Sequence, residues 1–262
     1  MTSTFISESA QSKLAQLMDS VKPGTEGIAI AMNKEKLKIP TLKIVQPTSL
    51  TKADCPAGAR PGQIYSPNVL IGNSIDCVAV FAYQSRTKFL SGSSDGMIDC
   101  SSLDAVTGTR YGKCSECPSL PWRNDMRTDC MDNIVVYFLS TDLKNVFKVI
   151  FSKTSESAGK FLLRQASQRR NIWDTTFSIS TESKSKNGKT WLQWKVGVAT
   201  NPLTDPDAAQ VSKAISTLCK DDWESLKNSI SSNGQGLIGI SEPSNVIDVS
   251  SNSDGSNDNL PF

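Results

Sequence analysis

The chain has 262 residues, 38% of them hydrophobic and 21% charged, which suits a folded core and excludes wholesale disorder. It has no histidine, which removes the commonest general base, the Ser-His and Cys-His nucleophile systems and every His-containing metal site. The net charge of +2 conceals an asymmetry: residues 1–230 hold 28 basic and 22 acidic residues, a net +6, whereas 231–262 hold four acids and no base.

A basic body with an acidic tail points to a polyanion partner for the body and a separate role for the tail. No stretch reaches the ~20 apolar residues of a membrane span, and the opening MTSTFISESAQSKL lacks the basic-then-apolar order of a signal peptide. The expectation is a cytoplasmic protein whose seven cysteines stay reduced.

In chain order, residues 8–21 place Leu14, Leu17, Met18 and Val21 at helical spacing before Pro23-Gly24. This predicts an amphipathic helix docked on the core, with a self-association arm as the alternative. KLKIPTLKIVQ and the PAGARPG loop read as extended structure leading into a sheet, so that 1–60 form a helix and arm. Cys77–Phe89 reads as a long strand, followed by a Gly/Ser/Cys-rich insertion over 91–131. NIVVYFLS and NVFKVIFSK are paired strands at hairpin spacing, and SESAGKFLLRQASQRR is a helix with a basic end.

TTFSIST and TWLQWKVGVAT flank a turn whose Asn187-Gly188 is a strong hairpin signal, both positions tolerating positive φ. Helical spacing of Val211, Ile215, Leu218 and Leu226 predicts a C-terminal helix over 205–230, broken near Asp221. Residues 231–262 are too polar to bury themselves and read as a disordered acidic tail for protein interaction. Five strands with a helix between the third and fourth is the OB-fold order. The predicted class is therefore mainly β with flanking helices: a five-stranded OB barrel over 61–230, with the Cys-rich insertion between strands 1 and 2.

Within the insertion Cys100, Cys114, Cys117 and Cys130 are spaced C-x13-C-x2-C-x12-C. Four thiolates with one close pair suit a closed, structural Zn²⁺ site able to fold a loop too polar to fold alone. Cys77 and Cys219 read as buried thiols, and so does Cys55 unless it replaces one ligand. Tyr111, Lys113, Trp122, Arg123 and Arg127 suit a loop that clamps a nucleic-acid strand.

On the last strand, alternation puts Leu192, Trp194, Val196 and Val198 toward the core and Trp191, Gln193 and Lys195 outward. With Lys184, Lys186 and Lys189 in the turn, that face offers base stacking and phosphate neutralisation to single-stranded DNA. Tyr83 and Phe89 around Arg86 and Lys88 form a second aromatic-basic set. Gly188-Lys189-Thr190 imitates a P-loop ending but lies in a hairpin, and the acidic residues form no recognisable pair for a hard cation. No enzyme is expected.

The end of the chain, Asp258-Asn259-Leu260-Pro261-Phe262, resembles the acidic Ile/Leu-Pro-Phe tip of bacterial-type single-stranded DNA-binding proteins. The resemblance implies a peptide, with Asp254 upstream, that docks on replication, recombination or repair enzymes. IPTLKIVQPTSL, AGARPGQIY and SAGKFLLRQASQRRNIWDTTFSIST look like the longer single-stranded DNA-binding proteins of tailed bacteriophages of the N4-like group. That likeness implies a phage protein in the host cytoplasm, coating DNA with little sequence preference and self-associating on it. The alternative is a transcription cofactor acting mainly through RNA polymerase.

Overall fold

The computed structural model describes residues 6–21, 39–67, 69–90, 97–117, 119, 130–168, 173, 175–200 and 205–232. Helix α1 is Glu8–Val21, and strand β1 is Lys43–Ile44, with β2 Ile64–Ser66 and β3 Val69–Gly72 completing a small antiparallel sheet. The main sheet is built from β4 Ser74–Phe89, β5 Ile98–Ser102, β8 Cys130–Ser140, β9 Val146–Ser152, β10 Thr176–Lys186 and β11 Lys189–Val198. Between β5 and β8 a two-stranded ribbon pairs β6 Thr107–Gly108 with β7 Gly112–Lys113. Helix α2 (Glu156–Ser167) follows β9, and α3 (Ala208–Ser232) follows β11. The chain is mainly β, and among the described residues no helix is long and apolar enough to cross a membrane.

The main sheet runs β11-β10-β4-β8-β9, with β5 on the far end of β4. β4 is long enough to serve three neighbours: its first residues pair with β10, its last with β5, and most of its length with β8. A bulge at Val80, between the pairs Ala79↔Phe138 and Phe81↔Tyr137, interrupts its alternation. A bulged residue leaves two successive side chains on one side of the sheet. Thus Cys77 and Ala79 belong to one core, whereas Val80, Phe81 and Tyr83 belong to another on the opposite face.

The first core packs Phe138 on Phe147, stacked at 5.8 Å, with Phe151, Phe177 and Trp194. Helix α2 covers it through Ala158 and Leu162, and Gly159 lets the helix backbone approach β8 and β9. The second core lies under α1 and α3, where Ala10, Leu17, Val211, Ile215 and Cys219 meet Val135, Tyr137 and Leu139 of β8. The two helices are tied by Lys13, which bonds Asp205 at 2.7 Å and Asp207 at 3.0 Å, and by Ser7, whose hydroxyl donates to Asp207.

Two expectations are corrected. α3 is continuous through Asp221, because its apolar face extends as Ile215, Cys219 and Trp223 at four-residue spacing. The five-stranded set does not close into a barrel, since no described pairing joins β9 to β11. The seam is filled by the N-terminal arm. On β9, Lys148 O accepts from Leu42 N–H and Lys148 N–H donates to Pro40 O of the arm, while Gln46 Nε2 donates to Leu192 O on β11. Leu42 of the arm and Ile64 of β2 carry apolar side chains into the first core, and Trp194 N–H donates to Ser155 Oγ ahead of α2.

Candidate nucleic-acid interface

The β10–β11 hairpin turns through Asn187 and Gly188 with φ of 51° and 73°, the mirror-image turn that matches strand twist. The register then pairs Lys186↔Lys189, Lys184↔Trp191, Glu182↔Gln193 and Ser180↔Lys195. Directly opposed residues project to the same side of a sheet. Four lysines, Trp191 and Gln193 therefore share the side opposite Ile179 and Trp194, which point into the core.

All four lysines are exposed, whereas Trp191 is half-buried and Gln193 is buried. A relay holds the ring: Trp191 Nε1–H donates to Gln193 Oε1 at 3.2 Å, and Gln193 Nε2 donates to Glu182 Oε1 at 2.8 Å. Burial pushes the Glu182 carboxyl up, but the Gln193 amide, the Lys184 ammonium at 3.2 Å and nearby Lys195 outweigh it and hold it below its ordinary range. Lys189 and Lys195 form no ion pair among the described residues. A fixed indole beside exposed ammonium groups can stack on a base and neutralise phosphates.

The second aromatic-basic set is divided among other tasks. Tyr83 faces α3, 5.8 Å from Trp223 and 6.2 Å from Tyr137 by ring centroids. Phe89 ends β4 opposite Ile98. Arg86 Nε donates to Asp132 at 2.7 Å, and Lys88 reaches Asp99 at 3.1 Å. Asp99, whose side chain is 4% exposed, also accepts from Arg110 and from the Tyr111 hydroxyl at 2.8 Å. Its carboxyl is raised by burial but brought below its ordinary range by Tyr111, Lys88 and Arg110. Lys113 is exposed and lies 3.5 Å from Glu116. The basic side chains described in the insertion are thus matched by acids, whereas Lys189 and Lys195 of the hairpin form no ion pair among the described residues. Trp122, Arg123 and Arg127, and the tail residues Asp254, Asp258, Leu260, Pro261 and Phe262, lie outside the described residues.

Cys100, Cys114, Cys117 and Cys130 line one cavity together with Arg86, Lys88 and Tyr111. Burial pushes the Cys130 thiol up to about 11, with Arg86 pulling the other way. Among the described residues no three Cys, Asp or Glu side chains are drawn up as a ready metal-binding group. Cys55 is half-buried and does not line this cavity, whereas Cys77 and Cys219 are buried, as expected.

No protein-family model, curated protein or solved structure matches the chain. Two features escaped the sequence reading. Glu182 anchors the relay, and counting the register back from Asn187-Gly188 places it opposite Gln193. Trp223 caps the Phe81–Tyr83–Tyr137 cluster and donates its indole N–H to Leu103 O at 3.0 Å; its four-residue spacing from Cys219 was the signal.

Proposed function

We propose that the chain is a single-stranded DNA-binding protein, with little sequence preference, whose binding surface is the outer face of the β10–β11 hairpin. The observation that carries this reading is the register, which gathers Lys184, Lys186, Lys189 and Lys195 around Trp191 on one face. The strand path β11-β10-β4-β8-β9, with α2 between β9 and β10, supports an OB-like, partly open barrel in which this hairpin is the loop joining strands four and five. In OB-folds that loop borders the oligonucleotide groove, as does the one joining strands one and two, here the cysteine-bearing insertion.

The side of β8 and β9 that carries DNA in many OB-folds is covered here by α1 and α3. The proposed DNA path therefore follows the hairpin rather than crossing that side. Resemblance to phage single-stranded DNA-binding proteins supports a role in replication, recombination and repair, with the acidic tail recruiting partner proteins. A cofactor of RNA polymerase would share the tail without needing a basic aromatic hairpin.

Titrating poly(dT) into the full chain at two salt concentrations, by tryptophan fluorescence, tests the reading. The expected result is saturable quenching that weakens steeply with salt, with duplex of equal length competing poorly. Salt-independent binding, a preference for duplex, or no change in low salt would overturn it. Deleting residues 258–262 is expected to leave this affinity unchanged.

A further inference from the structure

Strand register and one small cavity bring the insertion's four cysteines together. Cys100 on β5 and Cys130 at the start of β8 both stand opposite Lys88, one on each flank of β4. Opposed residues share a side of the sheet, so cysteines from the two ends of the insertion face the same way. Cys114 and Cys117 close a tight turn in which Cys117 N–H donates to Cys114 O at 3.2 Å. All four line a cavity of about 20 Å³, room for one body of the size of a water molecule or smaller. Gly108 forms part of its wall. A Cβ there would stand 2.8 Å from Cys100 Sγ and 3.9 Å from Cys114 Sγ, so these two sulfurs approach each other across a residue that has no side chain.

We infer that Cys100, Cys114, Cys117 and Cys130 are the ligands of a structural site for a soft, tetrahedral divalent cation of the Zn²⁺ class. The set is all-thiolate and closed, leaving no position for a substrate water. Binding exchanges four S–H protons for one divalent ion and leaves a complex of net charge −2. Arg86 and Lys88 line the same wall, each also held by a carboxylate, Asp132 at 2.7 Å and Asp99 at 3.1 Å.

The thiols surround the cavity without three of them drawn up as a ready metal-binding group. Binding is therefore coupled to the four thiols drawing together, as is usual where metal affinity is folding energy. The closed site clips β5, β8 and the Cys114–Cys117 turn around the end of β4. This inference is independent of DNA binding, and its test uses no DNA.

The full chain, purified in reductant without chelator from zinc-supplemented cells, is expected to hold one Zn²⁺ per chain by elemental mass spectrometry. Replacing it with Co²⁺ is expected to give thiolate-to-cobalt charge transfer with the d–d bands of a tetrahedral centre. Cys114→Ser and Cys130→Ser should abolish those bands, and Cys55→Ser should keep them. Because a ligand variant can fail to fold, the Co²⁺ spectrum of the unaltered, folded chain is decisive. A folded, reduced chain without such bands would overturn the site, as would equal loss in Cys55→Ser. A thiol count below the seven cysteines in denaturant without reductant would overturn it too, by placing the ligands in disulfides.

Discussion

Truncating Trp191 to alanine separates stacking from charge. Stacking on an aromatic side chain contributes roughly 1–3 kcal/mol per base. Trp191 is half-buried and its indole N–H is held by Gln193, which leaves the ring able to serve one base. Trp191→Ala should then cost about 1–2 kcal/mol, a weakening of roughly 5- to 30-fold in Kd. Trp191→Phe should recover most of it. The assay is anisotropy of a labelled oligo(dT) across a salt series. Each phosphate neutralised on a single strand contributes about 0.7 to the slope of log K against log salt. Trp191→Ala should keep the parental slope, while Lys189→Gln with Lys195→Gln should flatten it by about 1.4. Parental affinity in Trp191→Ala, or a slope that follows the tryptophan rather than the lysines, would refute the hairpin as the binding face.

Gly159→Ala pits helix propensity against packing. Alanine is the better helix former by about 1 kcal/mol, but its Cβ would meet Phe151 Cβ at 2.9 Å and Ile134 Cβ at 3.1 Å, and overpacking costs about 1–3 kcal/mol. A lower urea midpoint is expected; a higher one would show that α2 can shift freely. Ser212 is wholly buried on α3 and its hydroxyl has no hydrogen-bond partner among the described residues, so Ser212→Ala should stabilise the fold by about 1 kcal/mol, read in the same assay.

Hydrogen bonds from Ser9, Lys13 and Ser7 hold the Asp207 carboxyl down to about 2, from an ordinary value of 3.8. A depressed carboxylate contributes stability that is present above its unfolded value and lost as pH falls through the folded one. The α1–α3 tether should therefore loosen between about pH 4 and pH 2, seen as faster amide exchange in α1. Asp207→Asn should loosen α1 already at neutral pH and remove that step, and loosening of the parent above pH 5 would contradict the assignment.

The hairpin face was legible in part because a two-residue turn sets the register: Trp191, Gln193 and Lys195 lie on the side that alternation predicts, Lys184, Lys186 and Lys189 join them from the strands rather than the turn, and Val198, expected in the core, is exposed. The facing of Tyr83 was not, because the bulge at Val80 inverts the alternation and leaves no mark in a run of apolar residues. The pairing of Arg86 and Lys88 with Asp132 and Asp99 arises across strands, where spacing along the chain carries no information. The missing closure has a similar origin. Pro40–Gln46 contains only a two-residue strand, too short to announce that it substitutes for a barrel pairing. The cavity and the glycine beside the cysteines likewise appear only once β5 and β8 flank β4.

The arm in the seam has a kinetic consequence. Its contacts with Lys148 and Leu192 join segments more than a hundred residues apart, Gln46 and Leu192 being separated by 146 positions. Contacts of that separation form late, because loop closure must precede any gain from them. During synthesis the arm is made before β9 and β11, and its docking is complete only once both strands have been made. Before the arm docks, the edges of β9 and β11 that it covers are bare, and an unpaired edge invites pairing with another chain. Docking of the arm should thus be a slow refolding phase, one whose amplitude disappears when residues 1–46 are removed and whose absence is accompanied by aggregation.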